Sequence, residues 1–329
     1  SFLKRNISEE EFVEEHQIII NSSRQFKNTF SIFYQIIKFR FLLKNNDRVI
    51  LHGYADPFMY LLCILSFFRL KQFSWVIWGG DLYFYNEKKS FKYKIYEFAR
   101  LLTIKRFGYF ITNLKGDFFL AQKFYKVNGK HLFAFYPISL GSHNESKILN
   151  KKQVLKILVG NSTDPSNNHK EILNILSKFK NEEIEIYCVL SYGNFISYRE
   201  EVIRYGKMVF NEKFIPVLTY MNNHDYNKFI DQIDILVLYH NRQQAVGNIV
   251  YFLHSKKKVF IKQGISTCSF LDDQGISYFF TDTIHELSID EFSYMEDFQR
   301  ENNKRIINSL YSEKNLTKVW QDVFDTIKS

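Results

Sequence analysis

Apolar residues in this chain gather in short runs, and each run stops at small or polar residues. In the first part, residues 16–21, 48–52, 73–78, 109–112 and 132–136 read as strands. Their lengths and their β-branched and aromatic content suit buried strands. Between them lie helical patterns at 29–44, from Asp56-Pro57 onward, at 88–106, and from Gly116-Asp117 onward. Asp56 suits an N-cap and Pro57 a first turn. A capping box at Ser8–Glu11 opens a further short helix.

The same alternation restarts later. Strands are expected at 154–159, 184–190, 214–218, 234–239 and 258–262, with helices at 169–180, 196–205, 225–232 and 247–254. A last helix is expected at about 313–327. Residues 138–152 are polar, lack a period, and read as a linker. Strands alternating with helices predict an α/β protein with parallel sheets. Two such series in 329 residues predict two Rossmann-like domains facing a cleft. The expected division is 1–140, 141–312 and a C-terminal helix 313–329.

The longest apolar run, 58–68, has eleven residues and falls short of the roughly 20 needed to span a bilayer. It reads as a buried helix, or as one that dips into a membrane surface. Cys63, Cys188 and Cys268 are far apart and form no CxxC pair, so neither a disulfide framework nor a zinc site is indicated. A reducing cytoplasm fits.

Charge is uneven. The net charge is +9, and all of it falls in residues 1–145. That asymmetry suggests an anionic partner for one half. Cations concentrate at Lys88, Lys89, Lys92, Lys94, Arg100, Lys105 and Arg106, interleaved with aromatic and aliphatic residues. A basic, aromatic-rich helix suits an anionic membrane surface. Nucleic acid is the rival partner, but no RRM, KH, helix-turn-helix or zinc-finger pattern accompanies the charge. An ordinary solvated face is the plainest alternative.

Ligands of open α/β sheets bind at the carboxyl ends of strands. That rule selects His52-Gly53, Trp78–Asp81, Gly160–Ser162 and the 239–248 loop. No GxGxxG, P-loop, GxSxG, HExxH or Asp-x-Asp motif is present. No metal site is therefore expected. Arg242 precedes a helix start at Gly247, where free N–H groups and a guanidinium can bind an anion. A plain strand-to-helix turn would look the same. Gly160-Asn161-Ser162 can contact phosphate, or simply cap a helix. Asp81 can act as general base, orient a sugar hydroxyl, or cap a helix, and His52 is the other acid/base candidate.

Taken together, these loops resemble the bacterial 4-alpha-L-fucosyltransferase family, the Fuc4NAc transferases of enterobacterial common antigen synthesis. The resemblance rests on Leu51-His52-Gly53 with Pro57 and on Ile77-Trp78-Gly79-Gly80-Asp81-Leu82-Tyr83. It also rests on Leu158–Ser162 with Asp164, Ser166, Asn167 and His169, and on Arg242-Gln243-Gln244 with Gly247. It implies a GT-B fold and transfer of a deoxy-amino sugar from a dTDP-sugar to a polyprenyl-pyrophosphate-linked saccharide. Another donor, such as GDP-fucose, is the alternative; a non-enzymatic basic scaffold is a third reading. Donor contacts would come from Gly160, Asn161, Ser162, Tyr192, Arg242, Gln243, Gln244, Gly247 and Asn248. Acceptor contacts would come from Trp78, Gly80 and Tyr83, and membrane contacts from Lys88, Lys89, Lys92 and Lys94. Asp81, His52 and Arg242 would be catalytic, with no cofactor and no metal. The implied location is peripheral, on the cytoplasmic face of the inner membrane.

Two departures from the family pattern stand out. The chain opens near the first helix, where the family has a strand and a loop before it. Many GT-B enzymes hold the ribose with a glutamate shortly after the Gly247 position, and Ile249–Leu253 offers no carboxylate.

Overall fold

The computed structural model describes residues 29–83, 91–138, 140 and 154–329. The expected helix at Ser8–Glu11, the strand 16–21, Lys88, Lys89 and most of the 138–152 linker lie outside the described residues. The chain divides into two compact units, one of residues 1–137 with 313–329 and the other of residues 138–312.

Unit 1 holds a four-stranded parallel sheet in sequential order: β1 (Val49–His52), β2 (Phe73–Val76), β3 (Tyr109–Thr112) and β4 (Lys130–Phe133). Helix α1 (Thr29–Leu42) precedes β1, and helices α2 (Pro57–Leu65), α3 (Phe91–Ile104) and α4 (Lys115–Tyr125) connect the strands. The Asp56 carboxylate accepts from Phe58 N, so α2 starts as its sequence predicts. Helix α2 also proves to be partly buried, with Tyr60 and Cys63 in the core. One apolar cluster, including Leu51, Trp75, Phe110 and Tyr125, lies between the sheet and its helices. A second is made with α12 (Glu313–Lys328), where Trp320, Val323 and Ile327 cover Val76, Ile111 and Ala134. Trp320 Nε1 donates to Phe135 O at 3.0 Å, and Arg48 Nε to Ile327 O at 2.6 Å.

Unit 2 holds a six-stranded parallel sheet in the order β10-β9-β8-β5-β6-β7. The strands are β5 (Leu155–Val159), β6 (Ile184–Val189), β7 (Phe214–Val217), β8 (Ile235–Val237), β9 (Lys258–Ile261) and β10 (Phe279–Phe280). This is the doubly wound order, and its direction reverses between β5 and β8. Helices α5 (His169–Leu176), α6 (Ile196–Phe210), α7 (Asn223–Asp231) and α8 (Val246–His254) connect the strands up to β9. Helix α6 runs past Gly206, where the sequence suggests a stop. A Cβ there would sit 2.4 Å from the Phe214 ring, so the glycine serves close packing rather than termination.

Four elements after β9 are not evident from the sequence: α9 (Ser266–Asp273), β10, α10 (Ile289–Ser293) and α11 (Asp297–Leu310). Helix α11 buries only Asn303 and Ile307, so it carries almost no apolar period.

Candidate functional site

In unit 2 the reversal of strand order brings together the loop after β5 and the loop after β8. The chain leaves β5 through Gly160, at φ +66°. A Cβ on Gly160 would lie 2.5 Å from His169 Nε2 and 2.9 Å from Asn167 Oδ1. Only glycine fits, because two buried polar side chains pack directly beneath the turn.

Asn167 is the hub of this loop and is fully buried. Its Oδ1 accepts from Asn161 N at 2.9 Å and faces His240 Nε2 at 2.8 Å. Its Nδ2 donates to Ser162 Oγ at 3.2 Å and to Asp164 O at 2.9 Å. An amide oxygen can only accept, so His240 carries its proton on Nε2. Burial pushes the pKa of His240 down to about 3 and that of His169 down to about 4. Both rings are therefore neutral at pH 7.

Arg242 leaves the loop after β8 and places NH2 3.1 Å from Asp164 Oδ2. Burial acts to raise the Asp164 pKa. Hydrogen bonds from Ser166, together with Arg242, outweigh it and hold the carboxyl below its ordinary value. Gln244 bridges the two loops, donating to Asn161 Oδ1 at 3.0 Å and accepting from Ser166 Oγ at 2.8 Å. Asn168 Nδ2 donates to Tyr239 O at 2.7 Å, a second strut.

Helix α8 follows. Ile249 N is bonded back to Ala245 O at 3.0 Å, and the preceding N–H groups of Val246, Gly247 and Asn248 belong to the open first turn. Gly247 is exposed, and a Cβ there would meet nothing within 4 Å. The partial positive charge of a helix N-terminus, with Arg242 beside it, makes this end of the sheet suited to a diphosphate.

Hydrogen bonds from Arg242 and Gln244 thus tie the loop after β8 to the loop that holds Gly160, Asn161 and Ser162, and Gly247 follows in the first turn of α8. Gln243 lies in the loop after β8, half-buried. The Asn248 side chain is tied elsewhere, donating to Tyr226 OH at 2.9 Å. The Tyr192 carbonyl accepts from Thr163 N at 2.7 Å, which latches its loop beside Ser162, and the Tyr192 ring is exposed. Asn167 and His169 enter the sequence reading only through the resemblance, and His240 only within the 239–248 loop; that the three form the framework of this loop shows only in the fold. Their signal is polar residues with small neighbours at two strand ends, which looks like any turn.

In unit 1, Asp81 folds the loop after β2. Its Oδ2 accepts from Tyr54 N at 2.8 Å and Trp75 Nε1 at 2.6 Å, and its Oδ1 from Trp78 N at 3.0 Å. It is 6% exposed. Burial holds its pKa above the ordinary carboxylate value, against the pull of those three donors. Arg100, also buried, donates to Tyr54 O at 3.0 Å and to Asp81 O. Among the described residues this carboxylate caps no helix, and it is almost closed to solvent.

His52, by contrast, is exposed at the end of β1. Its ring stacks on Trp78 at 6.0 Å between centroids and lies 6.4 Å from Trp320. Burial of part of the ring lowers its pKa below the ordinary value. Trp78 also meets Tyr136 edge-on at 4.7 Å. Gly80 is exposed, and Tyr83 OH lies 3.4 Å from Asp117 Oδ1. Lys94 is exposed on α3, while the Lys92 side chain lies outside the described residues.

Among the described residues, no three His, Cys, Asp or Glu side chains are grouped to hold a metal ion. No helix among them is long and apolar enough to cross a membrane.

A family model described as 4-alpha-L-fucosyltransferase, glycosyl transferase group 56, matches residues 9–326. Solved structures with similar folds are distant in sequence. A glycosyltransferase from Rickettsia africae superposes with a TM-score of 0.65 at 14% identity, covering 97% of this chain and 87% of that one. The Escherichia coli trehalose-6-phosphate protein bound with UDP-2-fluoro glucose gives 0.64 at 8% identity, with 98% and 86% covered. An alpha,alpha-trehalose-phosphate synthase (UDP-forming) from Burkholderia vietnamiensis gives 0.62 at 8% identity, with 90% and 75% covered.

Proposed function

The chain belongs to the group 56 4-alpha-L-fucosyltransferase family and is a glycosyltransferase of GT-B fold, and from that premise we propose its substrates and the roles of its residues. The donor is a dTDP-linked deoxy-amino sugar, Fuc4NAc. The acceptor is a polyprenyl-pyrophosphate-linked saccharide, met at the cytoplasmic face of a bacterial inner membrane.

One observation carries the donor half of this reading. At the β5/β8 reversal, the Arg242 guanidinium pairs with Asp164 of the loop after β5, and the open first turn of α8 begins four residues further on. During transfer, negative charge builds on the leaving nucleoside diphosphate. Fixed N–H dipoles and a guanidinium stabilise that charge without reorganising, the task a metal performs in other transferases. Asp164 holds Arg242 in place, and Gln244 fixes the spacing of the two loops.

In unit 1 the acceptor hydroxyl needs a proton acceptor. His52 is neutral at pH 7 and exposed beside Trp78, whose indole offers a flat apolar face to a sugar ring. We assign the base to His52. Asp81 becomes a positioning residue that fixes the Trp78 and Tyr54 backbones.

The test is a thermal-shift screen of dTDP, GDP and UDP, followed by transfer assays with the sugar of the stabilising nucleotide. Ligand binding raises stability by RT ln(1 + [L]/Kd). Stabilisation by dTDP and turnover of dTDP-Fuc4NAc are expected. Stabilisation by GDP alone would move the donor to GDP-fucose. A chain that binds no nucleotide, and binds vesicles only at low salt, would be a scaffold.

A further inference from the structure

We infer that unit 1 seats on an anionic lipid surface through an apolar face shared by α1, α2 and α3. The purpose of this face rests on the proposed lipid-borne acceptor; the observations for it do not.

Helix α3 has two opposed apolar stripes. Ile104 and, in part, Tyr96 and Ala99 pack into the core of unit 1, with Arg100 and Thr103 buried on the same side. Phe91, Ile95, Phe98 and Leu102, spaced four, three and four apart, are exposed. That spacing keeps them in one line along the helix. A helix with only a core to cover needs one such stripe.

The neighbouring helices also carry exposed apolar residues. Helix α2 packs between α1 and α3. Arg40 Nε donates to Leu65 O at 2.7 Å, joining the end of α1 to the end of α2. The Arg106 guanidinium lies 4.2 Å from the centroid of the Phe67 ring, joining the segment after α3 to the same turn. Around this junction Phe41 is 83% exposed and Phe68 is 97% exposed, with Leu42, Ile64 and Leu65 exposed beside them.

Charge selects the occupant. Lys38, Lys44, Lys71, Lys94 and Lys105 are exposed on these helices and their flanks. Against these five lysines, the described acids on the same helices and flanks are three: Glu97, 3.6 Å from buried Arg100, the N-cap Asp56, and Asp47, which accepts from Lys44 N. A cationic rim around large apolar side chains matches anionic headgroups over acyl chains. A second copy of the chain is disfavoured, because a two-fold contact would bring the same lysines together.

The test compares wild type with a Phe41→Ser/Phe68→Ser/Phe98→Ser variant in co-sedimentation with phosphatidylglycerol–phosphatidylcholine vesicles. All three side chains are exposed, so an unchanged melting temperature is expected and confirms folding. Wild type should keep part of its vesicle binding at about 0.5 M salt, where electrostatic attraction is screened. The variant should bind about tenfold or more weakly at every salt concentration. It should still transfer sugar to a short water-soluble acceptor. Equal vesicle binding by the two proteins would overturn the inference. So would a wild-type dimer, seen by light scattering, that the substitutions dissociate. A failed donor assignment would appear only in the transfer arm and would leave the vesicle arm readable.

Discussion

The Nε2–H of His240 lies 2.8 Å from the side-chain oxygen of Asn167, so one ring fixes the amide that shapes the loop after β5. Both His240 and its neighbour His169 have pKa values pushed below the ordinary 6.5, to about 3 and about 4, chiefly by burial. A base with a depressed folded pKa stabilises the fold above its unfolded pKa. That contribution is lost as pH falls toward the folded value. Unit 2 should therefore lose stability between about pH 6.5 and pH 4, by roughly 3 kcal/mol for His169 alone. Thermal melts across that range check this, and His169→Leu should flatten the slope. A wild-type melting temperature constant over the interval would contradict the burial argument.

Gly160→Ala should be far more damaging than an ordinary surface change. The new Cβ would collide with His169 Nε2 and Asn167 Oδ1 at a positive φ. Strain at such a site costs on the order of 1–3 kcal/mol, and the donor loop would shift with it. Nucleotide-induced thermal stabilisation is the measurement, and retention of the full shift would count against the loop's role.

Arg242→Ala should lower turnover about 10²–10³-fold while unit 2 stays folded. Arg242→Lys should recover only part, because lysine lacks the planar fork. Steady-state kinetics beside a melting curve separate the two effects. Normal kcat in the alanine variant would remove the diphosphate assignment.

His52 and Asp81 should fail in different ways. His52→Gln should cut kcat by about 10²–10⁴-fold at unchanged stability. Its acidic limb should vanish too, since in wild type activity falls as pH drops through the lowered His52 pKa. Asp81→Ala leaves Tyr54 N, Trp75 Nε1 and Trp78 N without their acceptor and should cost about 3 kcal/mol or more. Loss of activity in Asp81→Ala with an unchanged melting temperature would restore Asp81 as the base.

Activity should survive EDTA. The sequence has no Asp-x-Asp, and no metal-ligand cluster occurs among the described residues. Loss of transfer in chelator, restored by Mg²⁺ or Mn²⁺, would show that a metal shares the diphosphate with Arg242.

The sequence made the strands legible because each is an apolar run ended by a small polar cluster. Val159-Gly160 and His52-Gly53 mark such ends, and both candidate loops follow from them. The short strand Phe279–Phe280 and helix α11 were not legible. Two residues make no period, and a helix burying only Asn303 and Ile307 lacks an apolar face. At the site, chemistry was easier to read than support. Arg242 and His52 declare their chemistry by residue type. That Asp81 is enclosed by three donors, and that Asn167 ties four groups together, depends on contacts up to 73 residues apart in the chain. No local pattern contains them.

Helix α12 closes the sheet of unit 1, yet it is translated only after the whole of unit 2. On the ribosome, the 138–312 unit can fold from contiguous chain. The first unit must wait with Val76, Ile111 and Ala134 uncovered until Trp320, Val323 and Ile327 arrive. An early stop after residue 312 would leave that face bare and prone to aggregation, so quality control would act mainly on the half of the enzyme made first.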